Sequence, residues 1–250
     1  MKIVKKNLKY GKVDIVRVKD NQREKVSDFI IRESRIHIIL NNKKIINLKC
    51  SSGNDDYLGI GFLYTSGFLK KKEDIDSVVV NEEEETVKIT AKNISPVQED
   101  SIKDNIILQS INIGTSKVKY KTIFKLMNGL QEKAKLFKLT GGTHSCALAN
   151  KQGSIILFTE DISRYNTIDK ILGEAFVNDI TTEDKIILTS CRITSGILKK
   201  IIIGKLPVVI SRAAPTDRAV ELAQKIGITL VGFVRGKRMN IYTHPGRIEV

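Results

Sequence analysis

The chain has 250 residues, 41% of them hydrophobic, with 42 lysines and arginines against 28 aspartates and glutamates, for a formal net charge of +14. That length and apolar content build a substantial core and exclude a disordered chain. No apolar run approaches the roughly 20 residues that cross a bilayer, so no membrane association is expected.

The basic surplus either spreads over solvated faces of a lysine-rich chain or favours an anionic partner: a nucleotide, a phosphorylated cofactor or nucleic acid. With no tryptophan and 6% aromatic residues, base stacking has few platforms, and nucleic acid is not the expected partner. The three cysteines, Cys50, Cys146 and Cys191, form no Cys-x-x-Cys pair, which reads as a reduced, intracellular protein. The start, Met1 to Lys6, lacks the apolar stretch of a signal peptide, so the expected location is the cytoplasm.

In chain order, Val13–Val18, Arg35–Leu40 and Ile45–Cys50 read as strands, the last two joined by a polar Asn41–Lys44 turn. Asp55–Leu69 reads as a helix, with Leu58, Phe62 and Leu63 on one face and glycines that permit close packing. Asp76–Val80 and Thr86–Ala91 form a second hairpin around an acidic turn. Gly114–Ser116 reads as a connection between an N-terminal α+β domain, 1–113, and an α/β domain, 114–250. Thr122–Phe137 has the spacing of an amphipathic helix.

The densest polar stretch follows. Thr140-Gly141-Gly142-Thr143-His144-Ser145-Cys146 reads as a tight turn presenting Thr143, His144 and Ser145, and Glu160-Asp161-Ile162-Ser163-Arg164 opens a helix running through Ile168, Ile171 and Leu172. Strands over Ala147–Ala149 and Ser154–Phe158 join the two clusters as a hairpin, which brings them to one sheet edge. The plainer reading makes Gly-Gly a turn only, and Asp161 or Ser163 a helix cap.

From Lys185 the pattern is α/β: strand Lys185–Thr189, helix Thr194–Ile202, strand Pro207–Ile210, helix Thr216–Ile226 and strand Thr229–Phe233. Short strands apolar on both faces predict a parallel sheet covered on both sides. Ligands of such sheets bind beyond the carboxyl ends of the strands. Those ends carry Ser190-Cys191-Arg192, Ser211-Arg212 and Arg235-Gly236-Lys237-Arg238. Arginines beside helix N-termini make a cradle for phosphate or pyrophosphate. No G-x-x-x-x-G-K-[ST] or G-x-G-x-x-G motif is present, which excludes the usual nucleotide loops. His144 and the cysteines lack the spacing of a zinc site, so no metal is expected.

These motifs, in order and at matching spacing, resemble the FdhD/NarQ family of formate dehydrogenase accessory sulfurtransferases. The residues carrying the likeness are Thr140–His144, Glu160-Asp161 with Arg164, Asn166, Asp169 and Lys170, Ser190 with Arg192, Ser211 with Ala214-Pro215, and Thr229 through Phe233 and Arg235 to Arg238. The resemblance implies a cytidine-deaminase-like α/β/α C-terminal domain and a homodimer. It implies a role in formate dehydrogenase maturation, with sulfur passed from a cysteine desulfurase to a molybdenum or tungsten bis-pterin guanine dinucleotide cofactor destined for the formate dehydrogenase catalytic subunit. It further implies that Phe233, Val234, Arg235, Gly236, Lys237 and Arg238 contact the guanine dinucleotide. The other residues assigned to the cofactor are Arg192, Arg212, Ser190, Ser211, Thr143, His144, Asp161 and Arg164.

One departure bears on the chemistry. The family's Cys-x-x-Cys loop falls at Ser110–Gly114, which contains no cysteine, and Tyr165 stands where the family commonly has histidine. Sulfur transfer needs a thiolate. Cys191 is expected to supply it, because a helix N-terminus and Arg192 would lower its pKa, and Cys146, near His144, is the second candidate. Cys50 reads as core. If neither cysteine serves, the chain is a cofactor- or nucleotide-binding relative without sulfur transfer.

Overall fold

Short runs apolar on both faces in the second half of the chain build one six-stranded sheet, described in a computed structural model that covers residues 9–94 and 117–250. The expected domain border at 113/114 and the Ser110–Gly114 segment lie outside the described residues. The sheet runs in the order β13 (Arg238–Ile241), β12 (Thr229–Arg235), β11 (Val208–Ser211), β10 (Ile186–Thr189), β8 (His144–Ala149), β9 (Ile155–Asp161). The central β10, β11 and β12 are parallel, as their apolar character predicts, whereas β8, β9 and β13 flank them antiparallel.

Alternate residues of each strand enter opposite cores. Leu148, Ile187, Val209 and Leu230 face helices α4 (Arg164–Val177), α5 (Ser195–Ile203) and α6 (Asp217–Ile226). Ala147, Ile186, Leu188, Val208, Ile210 and Val231 face helix α2 (Tyr120–Lys133) through Ile123, Leu126, Met127 and Leu130. The result is a mixed α/β sandwich.

The first half folds around a four-stranded sheet in the order β4 (Lys43–Cys50), β3 (Ser34–Leu40), β6 (Thr86–Ala91), β5 (Ile75–Asn81). Leu58, Ile60 and Leu63 of helix α1 (Asp55–Thr65) cover it, packing in one core with Ile38 of β3 and Val87 and Ile89 of β6. Cys50 lies in this core, as expected. A separate ribbon of β1 (Tyr10–Lys19) and β2 (Gln22–Ile31) pairs only with itself. The β2 strand is missing from the sequence reading, because its first part, residues 22–25, is polar and exposed and shows no apolar alternation.

The helix expected over Thr122–Phe137 is two. It breaks at Ala134, where ψ turns to 67°, and α3 (Lys135–Thr140) begins anew. The reason is a carboxylate from another element. Glu160 accepts hydrogen bonds from the amides of Leu136 (3.0 Å) and Phe137 (2.8 Å), satisfying the N-terminus of α3 from outside the helix.

Helices α1 and α4 make an extensive contact that joins the two sheets. It rests on absent side chains. A Cβ at Gly61 would overlap the Asp169 carbonyl, and one at Gly173 would overlap the Tyr57 carbonyl. Among the described residues no helix is long and apolar enough to cross a membrane. Because neither backbone can withdraw without opening the junction, Gly61→Ala is expected to cost about 3 kcal/mol or more, which urea denaturation of the variant measures.

Candidate functional site

The two polar clusters do meet. Antiparallel pairing sets His144 opposite Asp161 and Ser145 opposite Glu160. Gly141, at φ 66°, is the left-handed residue ending α3, and its amide donates to Phe137 O at 2.7 Å. Gly142 is needed for a different reason: a Cβ there would meet Ile31 Cγ2 at 2.6 Å, where the base of the ribbon packs. Gly-Gly therefore combines a helix stop with a close approach, where the sequence suggests a free turn.

Beyond this hairpin lies a cavity of about 570 Å³, walled by Leu130, Phe137, His144, Ser145, Ser190 and Arg212. Two strand exits close its floor. The Ser145 amide donates to Ser190 Oγ at 3.0 Å, and the Ser190 amide donates to Ser145 O at 3.0 Å. Arg212 is anchored by its amide, which donates to Thr189 O at 3.1 Å, leaving its side chain on the cavity wall. The Arg212 carbonyl accepts from Arg235 Nε at 3.0 Å, which ties the third exit to the second.

That third exit is a bulged turn. Phe233 has φ 53°, a conformation that costs a bulky residue of order 1 kcal/mol or more, at the register shift between Gly232 and Arg235. The guanidinium carbons of Arg235 and Arg238 lie 5.9 and 5.6 Å from its ring centre. Gly236 supplies a second positive φ, of 57°, and Arg235, Gly236, Lys237 and Arg238 are all exposed. Val234 points the other way. At 1% exposure it belongs to the α2-side core and cannot contact a ligand, which corrects its assignment to the cofactor.

Other assigned residues are committed to the framework. Ser211 is fully buried, donating from Oγ to Cys191 O at 2.6 Å and accepting from the Ala213 amide at 2.9 Å. Thr143 donates to Glu160 Oε1 at 2.9 Å from a buried position. Asp161, with 0% exposure, is neither a ligand contact nor a cap of the simple kind. Its Oδ2 accepts from Lys170 Nζ at 2.7 Å and from the Ser51 amide at 3.2 Å, and its Oδ1 accepts from the Ser163 amide and Asn166 Nδ2. Lys170, 1% exposed, also donates to Ser51 O at 3.0 Å.

Ser51 is the residue that sequence reasoning missed, and Lys170, named there only among the residues of the family likeness, proves to be the buried partner of Asp161. A lysine among the apolar positions of α4 was the available signal for the latter. A second pair, Lys200 Nζ to Asp169 Oδ1 at 2.8 Å with Thr65 bonded to both, repeats the motif at the other end of the α1–α4 contact.

Arg164 and His144 remain open to chemistry. Arg164 Nε is buried without a hydrogen-bond partner, and its guanidinium lies 5.2 Å from the Tyr165 ring centre. Burial lowers the His144 pKa from 6.5 and Arg164 lowers it further, against an opposing pull from Asp161. The imidazole is therefore neutral at neutral pH. Arg192 is exposed.

The thiols behave contrary to expectation. Cys191 is 3% exposed, and burial raises its pKa above 9.0, outweighing the hydroxyl of Thr189 (Oγ1 to Sγ 3.1 Å) and the charges of Arg164 and Arg192 that lower it. Cys146, fully buried beside Cys191, is raised further by burial. Cys50 is pushed up to about 12, by burial first and then by nearby carboxylates. Neither a helix N-terminus nor an adjacent arginine makes a thiolate where water is excluded. Among the described residues no group of three His, Cys, Asp or Glu is placed to hold a metal ion.

The α/β sandwich thus gathers Ser190, Arg212 and Arg235 at adjoining strand exits, with Ser190 and Arg212 on the cavity wall. A solved structure of this architecture is that of a Desulfotalea psychrophila protein, provisionally described as a formate dehydrogenase accessory protein. It superposes with a TM-score of 0.87 over 97% of this chain and 100% of that one, at 24% identity, and shows the fold. The chain belongs to the FdhD/NarQ family, whose model matches residues 31–249. It is 33% identical to the sulfur carrier protein FdhD of Saccharolobus solfataricus, over 94% of this chain and 96% of that protein. The proteins of the same name from Wolinella succinogenes and Bacillus subtilis are 31% and 29% identical, over 96% and 94% of this chain and 89% and 96% of theirs.

Two expectations follow. Removing one partner of a fully buried ion pair strands the other charge, so Lys170→Ala is expected to lose about 3 to 5 kcal/mol in chemical denaturation. For His144 the folded pKa lies below the unfolded value, so the unfolded chain binds the extra proton first. Stability is full above pH 6.5 and falls as acid is added. A His144→Asn variant should therefore show a flatter stability profile than the parent between about pH 7 and 5, read by thermal denaturation across buffers.

Proposed function

We propose that this protein is a cytoplasmic accessory factor for formate dehydrogenase maturation that holds a pyrophosphate-bearing pterin guanine dinucleotide cofactor and presents it to the catalytic subunit. The observation carrying this reading is the cavity at the strand exits, with the Arg212 side chain on its wall and the partnerless Nε of Arg164 close enough to His144 to perturb it. A half-buried guanidinium with an unused Nε donor fits a phosphate oxygen, and paired arginine donors match its geometry. Phe233, with Arg235 and Arg238 at its ring, offers a flat apolar face between cations, suited to a purine carrying phosphates. The bound molybdenum or tungsten centre supplies redox chemistry to the client enzyme. This chain's residues bind the cofactor's phosphates, orient its base and shield it from water. The same reading takes the six-stranded sheet with its helices as the cytidine-deaminase-like arrangement and the working form as a homodimer.

Sulfur transfer is a second reading, favoured by the names of the relatives and by the place of Cys191 at the exit of β10, with Thr189, Arg164 and Arg192 all lowering its pKa. In that step the Cys191 thiolate attacks the terminal sulfur of a cysteine desulfurase persulfide. The sulfur–sulfur bond breaks, and the desulfurase cysteine leaves as thiolate. Burial opposes it, so the exit Ser190–Arg192 has to open first.

Two measurements separate these readings. Calorimetry with guanosine diphosphate should show binding that weakens about tenfold or more in Arg212→Ala and in Arg238→Ala, as expected for loss of a charge-assisted contact. No binding by the wild type at high micromolar nucleotide would remove the cavity from consideration. Incubation with a cysteine desulfurase and cysteine, followed by mass spectrometry, should leave all three cysteines unmodified. A one-sulfur adduct on Cys191 that disappears in Cys191→Ser would establish the carrier instead.

A further inference from the structure

A second cavity, of about 310 Å³, opens on the N-terminal sheet, where the start of β3, the loop before α1 and the turn between β5 and β6 meet. Its wall brings together Lys9 and Arg35 with the carboxylates of Asp55, Glu82 and Glu85. Among the described residues, none of the five makes an ion pair with any residue. Opposite charges thus face a common space while staying too far apart to neutralise one another.

The space is also lined by unused polar atoms. Thr86 is 8% exposed, lines the cavity, and its hydroxyl has no hydrogen-bond partner. Asp55 Oδ1 is buried and equally without one. Burial raises the Asp55 pKa, although Lys170 and the Gly53 amide pull it down, so this carboxylate is poorly solvated where it stands. A buried acceptor and a buried hydroxyl left unmatched each carry a desolvation cost that a guest with donors relieves. Helix α1 starts at the same place, and its N-cap Asn54 makes no side-chain capping bond. The first amides of the helix are thereby left without a side-chain cap to answer them.

The distribution of charge selects the guest. A simple anion drawn to Lys9 and Arg35 is repelled by three carboxylates, and a simple cation meets two cations. A molecule with both charges a few bonds apart satisfies both sets when it lies in one orientation. The volume admits a small molecule only, and Ile36 and Val80 add an apolar wall.

We propose that this cavity is a binding site for a small zwitterion of the α-amino acid class, its carboxylate held by Lys9 and Arg35 and its ammonium group by Asp55 and Glu85. Thr86 donates the neutral hydrogen bond that fixes the orientation.

Titration of the full chain with each of the twenty amino acids, followed by calorimetry, tests this directly. At least one should bind with a Kd below about 1 mM, and its deaminated and decarboxylated analogues should each bind about tenfold or more weakly, since each loses one charged contact. Arg35→Gln, at an exposed position that the fold tolerates, and Thr86→Val should both weaken binding, the former about tenfold. Three results overturn the assignment: no amino acid binding below about 1 mM, a single-charge analogue binding as tightly as the parent, or unchanged binding in both variants with native circular dichroism.

Discussion

An ammonium group that keeps 1% of its surface exposed must find its counter-charge and its acceptors within the protein, and Lys170 finds them on two different parts of the chain. Asp161 supplies the charge from the end of β9, and the Ser51 carbonyl supplies an acceptor from the loop after β4. Each of these is bound in turn: Asp161 receives the Ser51 amide, and Asn166 donates to both Asp161 and Lys49 O. Such a pair contributes little net stability compared with well-packed apolar residues, because both ions have been stripped of water. Its effect is on placement. With both Asp161 oxygens and the Ser51 amide and carbonyl engaged, the first sheet has one position relative to β9, and β9 carries the residues that line up with His144.

The same exclusion of water decides the chemistry of the thiols. Around Cys191 stand a hydroxyl donor and two guanidinium groups, an environment that would yield a thiolate at a wet surface. Burial reverses the outcome, since a charged sulfur in an apolar surrounding loses more solvation than two partly distant cations return. Arginine operates under a different rule. Half-buried Arg164 offers donors only, and its Nε is left without a partner. At this sheet edge the exclusion of water thus keeps the Cys191 thiol protonated and leaves a guanidinium donor unused.

How much of this was legible in the sequence depended on whether the cause lay near its effect in the chain. The parallel β10, β11 and β12, with Ser190, Arg212 and Arg235 at their exits, followed from local apolar runs and from the rule that ligands gather at carboxyl ends. The hairpin pairing of His144 with Asp161 followed from a short turn between two apolar segments. The break at Ala134 did not, because the carboxylate that starts the next helix comes from Glu160, on another strand. Ser51 was invisible as a partner for Asp161 across 110 positions. For Cys191 the neighbouring charges were readable but the depth of burial was not, and depth was the larger effect. Val234 was misplaced by the bulge at Phe233, which shifts the register between Gly232 and Arg235.

The closest part of the junction between α1 and α4 is written in main-chain atoms: glycine against carbonyl on both sides, with the nearby Lys170 taking its place from the Ser51 backbone as much as from a side chain. A contact of that kind admits no side chain at Gly61 or Gly173, and it is finished by the Thr65, Asp169 and Lys200 trio and by the Tyr64 ring stacked on Phe176. The first and second halves can be exchanged with those of a relative provided both glycines and these cross-junction partners are kept together. The mating surface works as a standard fitting between parts whose other faces are open to change.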